Sequence, residues 1–415
     1  MQEIAMLYGL LPDVINGILF LLHLVLFLAA LRAEQPNLKI ANFEIPDLFK
    51  KKRPLLTILL FVSLLVVWFP WKLLPKKSEI QTVKVISLLS DQTDRLVEQV
   101  AQEHNVKVDF VDRIAMGGTN LREVLESVKR GDHSADVVLG ASCQTYLAHD
   151  IDEQYLEKIP NELAAEVSHE VEPEAISDRW IGWYKGYLAL AYSPTRFQLA
   201  GAPAWPDLLD RLHQEHARVM APTCSRHAAG TVLAVGLYDE LQAKIQDTKR
   251  TEAEFERLLT QLANDTVCFR TIGHPDVNYI ASGRIDASID WAHDIFHQIK
   301  SLGAKNVQVY VPPGTPWEVG VVGIVSGHDS PAVRKLITLL VSQTVGEEHA
   351  KQSGRYPVLT SDLSLPASLK RWQDVGVSPA LPCQDRADIV RAHKLAEQYM
   401  DLPDSKECSR VFAGP

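Results

Sequence analysis

The first pattern along the chain is a pair of long apolar runs near its start, at 14–31 and 55–71. Each run is long enough to cross a hydrocarbon core of roughly 30 Å as a helix. No lysine or arginine precedes the first run, whereas six basic residues separate the two runs: Arg32, Lys39, Lys50, Lys51, Lys52 and Arg53. Because basic residues stay on the cytoplasmic side, the pattern predicts two transmembrane helices joined by a cytoplasmic loop. The chain after residue 77 is then outside the inner membrane, in the periplasm.

Two alternatives to this membrane anchor exist. A cleaved signal peptide has a basic flank, a short apolar core and a small-residue cleavage site. The first run lacks the basic flank, and the segment 69–75 after the second run contains no such site. We therefore interpret the second run as an uncleaved anchor. Helices buried in a protein core are the alternative for either run.

Beyond the anchor, the hydrophobic pattern alternates between strand and helix periods. Segment 83–89 is an apolar strand, and a helical pattern with apolar positions near 96–101 follows it. Segment 106–111 alternates apolar and polar residues, and a second helical pattern starts after 117–120. Segment 135–140 is a nearly continuous apolar strand of the kind buried in parallel sheets. This order predicts an α/β fold with a doubly wound sheet.

Such sheets bind ligands at the carboxyl ends of their strands, in the turns that lead to helices. In the first three units these turns contain the small or polar residues Ser90, Asp91, Thr119 and Ser142. Together with helix N-termini they suit hydrogen bonding to a polar ligand. The same residue types are also ordinary helix caps. Both interpretations stay open at these four positions.

The order of segments resembles the type 2 solute-binding proteins of ABC importers, in the branch with ferric-ion, thiamine, polyamine and phosphonate binders. The resemblance spans about 83–361 and depends on five segments in order, 135–138 (ADVV), 186–193 (GYLALAYS), 203–209 (PAWPDLL), 309–315 (VYVPPGT) and 339–357. It implies two lobes that close on a solute by hinge bending. The boundaries that it implies are an anchor at 1–77, an extracytoplasmic domain at 78–415, lobe one at 83–178 plus 311–362, lobe two at 179–310 and a tail at 363–415.

The second lobe offers two candidate walls for the solute. Ser225, Arg226 and His227 follow a predicted strand and open a helix, which favours an anion site, although a solvated turn is the alternative. Asp290 and Trp291 end another strand, where ferric-ion members of the family carry two adjacent tyrosines. The missing tyrosine pair argues against tyrosine-ligated iron, although oxygen and imidazole ligands could still form a metal site. An acid beside an indole instead favours a cationic group. A zwitterionic or phosphorylated solute would satisfy both walls.

Composition limits the class of partner and indicates whether disulfides can form. Residues 78–415 carry 33 basic and 47 acidic side chains, which argues against nucleic acid as a partner.

The five cysteines form no CxxC pair. In an oxidising compartment we expect a disulfide between Cys383 and Cys408, with Cys224–Cys268 as a second pairing. Free thiols are the alternative. His293 and His297 have the helical spacing of metal ligands, but a solvated helix face is the preferred interpretation.

These observations predict a membrane-anchored receptor that captures a small polar or charged solute for ABC permease subunits at the inner membrane. No cofactor and no resident metal are predicted. Enzyme activity and catalytic residues are not predicted either, because the chain contains neither G-x-S-x-G nor a phosphate-binding G-x-x-x-x-G-K. A sensory or regulatory protein that uses the same lobes to report a ligand to a membrane partner is the alternative.

Overall fold

The fold was analysed in a computed structural model, which describes residues 80–111, 121–270, 277–360, 365–366, 369, 372–379, 383 and 385–401. The predicted membrane helices at 14–31 and 55–71 and the candidate residue Thr119 lie outside these ranges. Among the described helices, none combines the length and apolar character that crossing a membrane requires. All described residues belong to one compact unit, Ile80–Pro415.

Ten strands make up the sheet of the described chain. They are β1 Gln81–Ser87, β2 Val106–Phe110, β3 Val137–Ser142, β4 Ile181–Tyr192, β5 Val219–Pro222, β6 Thr266–Arg270, β7 Ala287–Trp291, β8 Gln308–Tyr310, β9 Trp317–Ile324 and β10 Tyr356–Pro357. Their order is β2-β1-β3-β9-β4-β7-β5-β6, and β8 and β10 each pair with β4. The predicted α/β alternation is thereby confirmed.

Thirteen α-helices connect these strands in the described ranges. They are α1 Asp91–Glu103, α2 Leu121–Lys129, α3 Cys143–Ala148, α4 Ile151–Tyr155, α5 Asn161–Val167, α6 Trp205–Gln214, α7 Ala228–Ile245, α8 Thr248–Asp265, α9 Val277–Ala281, α10 Ala292–Leu302, α11 Pro331–Leu340, α12 Gln343–Ser353 and α13 Arg386–Met400. Side chains cap several of them: Ser90 accepts from the Thr93 N–H group on α1, and Asp385 accepts from two N–H groups on α13.

Strand β4 connects two parallel groups of strands. On one side β1 is parallel to β2 and β3, and on the other β5 is parallel to β6 and β7. The first half of β4 pairs antiparallel with β9, where Ile181 lies opposite Val322, and the second half pairs with β7, where Leu188 lies opposite Trp291. All twelve residues of β4 are buried. The carboxyl ends of both parallel groups therefore point toward the region where β4 changes partner.

Alternate side chains of β4 enter two separate hydrophobic cores, since successive residues of a strand point to opposite faces. Ala189 and Ala191 belong to the core that includes β1, β3 and β9. Leu188, Leu190 and Tyr192 belong to the second core, which α6, α7, α8 and α13 complete. The apolar run that predicted this crossover strand is thus explained by burial on both faces.

In the tail, the apolar residues Ile389, Val390, Leu395 and Tyr399 recur with a spacing that predicts one helix. Helix α13 confirms this prediction and packs against α3, α7 and α8. A disulfide joins Cys143, the first residue of α3, to Cys383, with the two Cα atoms 6.1 Å apart. The predicted Cys383–Cys408 pairing is therefore wrong, as is Cys224–Cys268, because Cys224 is a buried free thiol and Cys268 is disulfide-bonded. Spacing along the chain gave no sign that α13 lies against α3, 240 residues earlier.

Candidate functional site

The turn between β5 and α7 contains a preformed set of backbone donors. Strand β5 ends at Pro222, and His227 caps α7 through Nδ1, which accepts from the Ala229 N–H group at 3.2 Å. A Cβ atom at Gly230 would lie 2.0 Å from the Thr223 carbonyl oxygen, so only glycine allows the turn to pack this closely on the helix.

Two of these donors hold a carboxylate of the same chain. Asp401, just after α13, accepts a hydrogen bond from the Cys224 N–H group at 2.9 Å and from the Ser225 N–H group at 3.0 Å. Burial raises the pKa of Asp401, whereas the N–H groups of Ser225 and Cys224 favour its charged form. The turn predicted as an anion site therefore binds an oxyanion, and that oxyanion belongs to the protein.

Below the turn lies the thiol of Cys224, whose Sγ atom is 3.1 Å from Nδ1 of His393 on α13. The Thr231 hydroxyl donates to the Cys224 carbonyl oxygen at 2.9 Å. Burial raises the pKa of Cys224 well above its usual range, and the nearby Asp401 adds to this shift. The thiol is therefore protonated and inert in this position.

A second polar cluster is buried at the point along β4 where its pairing partner changes from β9 to β7. Asp290 is 0% exposed and forms an ion pair with Arg270 at 2.8 Å. Burial raises the pKa of Asp290, and the Arg270 guanidinium acts against that shift. Arg355 donates to Nε2 of His293 at 2.9 Å, and its guanidinium lies 4.8 Å from the centre of the Tyr184 ring.

Glu318 on β9 completes this cluster and is 1% exposed. A Cβ atom at Gly186 would meet Glu318 Oε1 at 3.0 Å and His293 Cε1 at 3.4 Å, so both side chains lie over the glycine of the neighbouring strand. Burial raises the pKa of Glu318 to about 8, although Arg355 lowers it. Two buried acids, Asp290 and Glu318, thus lie near two guanidinium groups at the junction of the two parallel groups.

The structure separates the candidate residues into turn and interior positions. Ser142 is buried and accepts from the Thr145 N–H group at 3.1 Å, so like Ser90 it serves as a helix cap. Arg226 is exposed beside Ser225 and His227 on the β5–α7 turn. Asp91 is the first residue of α1, at the carboxyl end of β1. All of these positions are the carboxyl-end turns that the sequence predicted.

Asp290 and Trp291 were expected to form a wall of the solute site, but both side chains are buried. Trp291 is 5% exposed and stacks on His293, with the two ring centres 6.2 Å apart. His293 is 6% exposed, so the preferred interpretation of a solvated helix face is wrong for it. Arg270 is the last residue of β6, which pairs with β5. Its guanidinium provides the positive charge beside Asp290 that was expected to come from the solute.

Sequence reasoning missed Asp401 and the position of α13 in the fold. Asp401 lies 176 residues after Ser225, and no local pattern marks an aspartate that follows a helix as the occupant of a distant turn. The helical period of 386–400 was the available signal, and it predicts a helix without its position. Among the described residues, one group of ligating side chains could hold a metal ion. It consists of His149, at the end of α3, and of His393 and Glu397 on α13.

The family of bacterial extracellular solute-binding proteins matches residues 132–374, more than half of the chain. The chain belongs to this family. Its family and fold are those of binding proteins, and they confirm the resemblance to the type 2 solute-binding proteins. No curated protein matches the sequence.

Solved structures share the fold of this solute-binding protein. Iron-bound HitA from Pseudomonas aeruginosa has a TM-score of 0.60 at 18% identity, over 78% of this chain and 100% of HitA. AfuA from Actinobacillus pleuropneumoniae, with fructose-6-phosphate bound, has a TM-score of 0.61 at 15% identity, over 78% and 100% of the two chains. A two-component system protein that mediates signal transduction has a TM-score of 0.59 at 15% identity, over 77% and 100%.

Proposed function

We propose that this chain is the membrane-anchored, extracytoplasmic solute-binding component of an ABC-type importer. In this proposal the apolar runs 14–31 and 55–71 anchor it in the inner membrane, and two lobes in the periplasm close on a small polar or charged solute. Membership of the family supports the binding role, and the basic loop between the runs supports the orientation. Anchoring would raise the local concentration of the receptor at its permease.

The observation that carries the proposal is the carboxylate of Asp401 on the N–H groups of Cys224 and Ser225. Backbone donors at a helix start bind carboxylate and phosphate by the same geometry. We infer that an anionic group of the solute takes the place of Asp401, with Arg226 and His227 beside it. AfuA with fructose-6-phosphate is consistent with an anionic solute in this fold.

The other wall of the proposed site is formed by the first parallel group of strands. Its proposed contacts are the turn residues Ser90, Asp91, Thr119 and Ser142. Asp290 and Trp291 would contact the solute only in a conformation that exposes them, because both are buried against Arg270 and His293 here. The turn residues are therefore the first targets for substitution.

A binding screen on the full-length chain in detergent tests the solute class. Inorganic phosphate, fructose 6-phosphate, citrate, ferric citrate and spermidine are compared by thermal shift with the wild-type protein and the Asp401→Ala variant. We expect a phosphate or carboxylate probe to raise the melting temperature, and to bind the variant more tightly because the turn is vacant. Stabilisation by spermidine alone, or equal anion affinity in both proteins, contradicts an anion site at this turn.

The orientation is tested separately with reporter fusions after Lys77. Alkaline phosphatase activity at this junction, and its absence for a fusion in the 32–54 loop, supports a periplasmic binding domain. If a reporter that is active only in the cytosol is active when fused after Lys77, the result contradicts both the proposed anchor and the proposed importer. Co-purification of the tagged chain with permease subunits then tests the partner.

A sensory or regulatory receptor is the second candidate. One structural neighbour of the same fold is a two-component system protein that mediates signal transduction, and two membrane helices offer a path for a signal. Deletion of the gene discriminates the two roles: loss of solute uptake supports the importer, whereas intact uptake with altered transcription supports sensing.

A further inference from the structure

The most compact set of metal-ligating side chains in the described chain lies between α3 and α13. His149 is the C-terminal cap of α3, and His393 and Glu397 lie on α13. One ligating atom of each residue lies within 4.8 Å of the others. We propose that these three side chains bind a divalent transition-metal ion of the zinc class, and that this ion links α13 to the end of α3.

Local geometry brings the three side chains together. His393 and Glu397 are four residues apart on α13, so both lie on one helix face, and His393 Nε2 is 3.2 Å from Glu397 Oε1. The His149 ring meets the His393 ring edge to face, with centres 4.4 Å apart. Tetrahedral zinc with nitrogen ligands at about 2.0 Å needs donor atoms about 3.3 Å apart. His149 and Glu397 are half-buried, so small rotations of these two side chains would bring the donor atoms to that spacing.

The second nitrogen of His393 fixes the orientation of its ring. Nδ1 lies 3.1 Å from Cys224 Sγ and 3.5 Å from Thr231 Oγ1. The thiol can donate to the His393 carbonyl oxygen, and the Thr231 hydroxyl already donates to the carbonyl oxygen of Cys224. Both atoms can therefore accept from Nδ1–H. These contacts are compatible with the tautomer that carries its proton on Nδ1, which has its lone pair on Nε2, the pattern typical of histidine ligands held by a neighbouring group.

The state of that Nε2 atom is the independent observation that points to a ligand. His393 is 2% exposed, and within the described ranges its Nε2 atom forms no hydrogen bond of good geometry: Glu397 Oε1 lies 3.2 Å away, but the contact is poorly aligned. A buried polar atom without a partner is costly in a folded protein. A metal ion on Nε2 would satisfy it.

The donor set selects the class of metal. Two imidazoles and one carboxylate suit zinc, cobalt or nickel, whereas calcium and magnesium prefer oxygen ligands alone. Three protein ligands leave one coordination position for water. This site goes beyond the proposed function and does not depend on it, because none of its ligands is a proposed solute contact.

Cobalt titration of the full-length, metal-free chain in detergent tests the site. We expect one Co²⁺ per chain, visible absorption bands of a four-coordinate ion, and displacement by Zn²⁺. The variants His149→Gln and Glu397→Gln alter half-buried side chains and are expected to weaken binding at least 10-fold. His297→Gln, an exposed histidine on α10, is the matched control and is expected to bind like the wild type.

Circular dichroism verifies that each variant is folded before its titration, and having two independent ligand variants keeps the test decisive if one is unstable. No saturable Co²⁺ binding by the wild type overturns the site. Binding with unchanged affinity in His149→Gln and Glu397→Gln also overturns it, since the ion is then held elsewhere.

Discussion

The carboxylate of Asp401 accepts hydrogen bonds at 3.0 and 3.1 Å from the backbone N–H group of Ser225, 176 residues earlier in the chain. This contact places the end of α13 on the turn that we propose as the site of a solute anion. Since α13 is also tied to α3 by the Cys143–Cys383 disulfide at its other end, the helix is fastened at both ends. We therefore expect that release of Asp401 would free the turn while the disulfide still holds the start of α13 to α3.

Substitution Asp401→Ala is expected to lower the free energy of unfolding by about 1–3 kcal/mol, because two buried N–H donors lose a charged acceptor. Urea denaturation of the full-length chain measures this loss. Asp109→Ala, which removes an exposed aspartate of β2, is the control and is expected to change stability by less than about 0.5 kcal/mol. A loss for Asp401→Ala as small as that of the control would show that the contact contributes nothing to the fold.

The buried pair of Arg270 and Asp290 is expected to be sensitive to the loss of one partner. Asp290→Leu leaves the guanidinium of Arg270 buried without its partner, and we expect a loss of about 3–5 kcal/mol in the free energy of unfolding. The double variant Asp290→Leu with Arg270→Met removes both charges and is expected to recover most of it. A double-mutant cycle in urea measures the coupling between the two sites. Independent, additive losses would mean that the two charges do not interact.

Glu318 predicts a pH dependence of stability. Burial raises the pKa of Glu318 to about 8 in the folded chain, whereas an exposed glutamate titrates near 4.5. Between these pH values the folded state holds a proton that the unfolded state has lost. The stabilisation is therefore complete below about pH 4.5 and decreases as pH rises to about 8.

We expect Glu318→Gln, which keeps a neutral side chain at every pH, to reduce the fall in unfolding free energy between about pH 5 and pH 8. Urea denaturation at several pH values in this range provides the comparison. Glu98→Gln on the exposed face of α1 is the matched control and is expected to keep the wild-type slope. An unchanged slope in Glu318→Gln would place the titrating group elsewhere.

The Cys143–Cys383 disulfide is expected to stabilise the packing of the tail. Its loss in Cys143→Ser with Cys383→Ser is expected to lower the free energy of unfolding by about 2–5 kcal/mol, because a long loop is released in the unfolded chain. Peptide mapping without reductant is expected to find the linked peptides of these two cysteines. Cys224→Ser leaves the disulfide intact and is the control. Recovery of Cys383 linked to another cysteine would contradict the described pairing.

The periodic segments are what the sequence predicts well. The strands at 83–89, 106–111 and 135–140 and the helix in the tail follow from local periods of two and about 3.6 residues, which depend on the burial of one face or both. The turn at Ser225–His227 was also predicted, because a strand followed by polar residues and a helix start exposes donors at a known edge of the sheet. These features need only neighbours along the chain.

The occupants of those turns follow from contacts between distant segments. Asp290 and Arg270 lie at the ends of two different strands, and only the order β7-β5-β6 shows that the charge of Asp290 is compensated inside the protein. The disulfide partner of Cys383 depends in the same way on the place of α13. Local pattern predicts which residues can donate or accept, while the partner depends on packing.

The sequence by itself determined the α/β alternation, the carboxyl-end turns and the kinship with solute-binding proteins, because these are set by residue order and hydrophobic period. Only the tertiary structure decided that Asp401 lies on the β5–α7 turn, that Asp290 is buried with Arg270, and that His149 meets His393 and Glu397. Each of these contacts joins residues of different strands, helices or turns. Their energies depend on distance and burial in the folded protein, and no local period encodes either quantity.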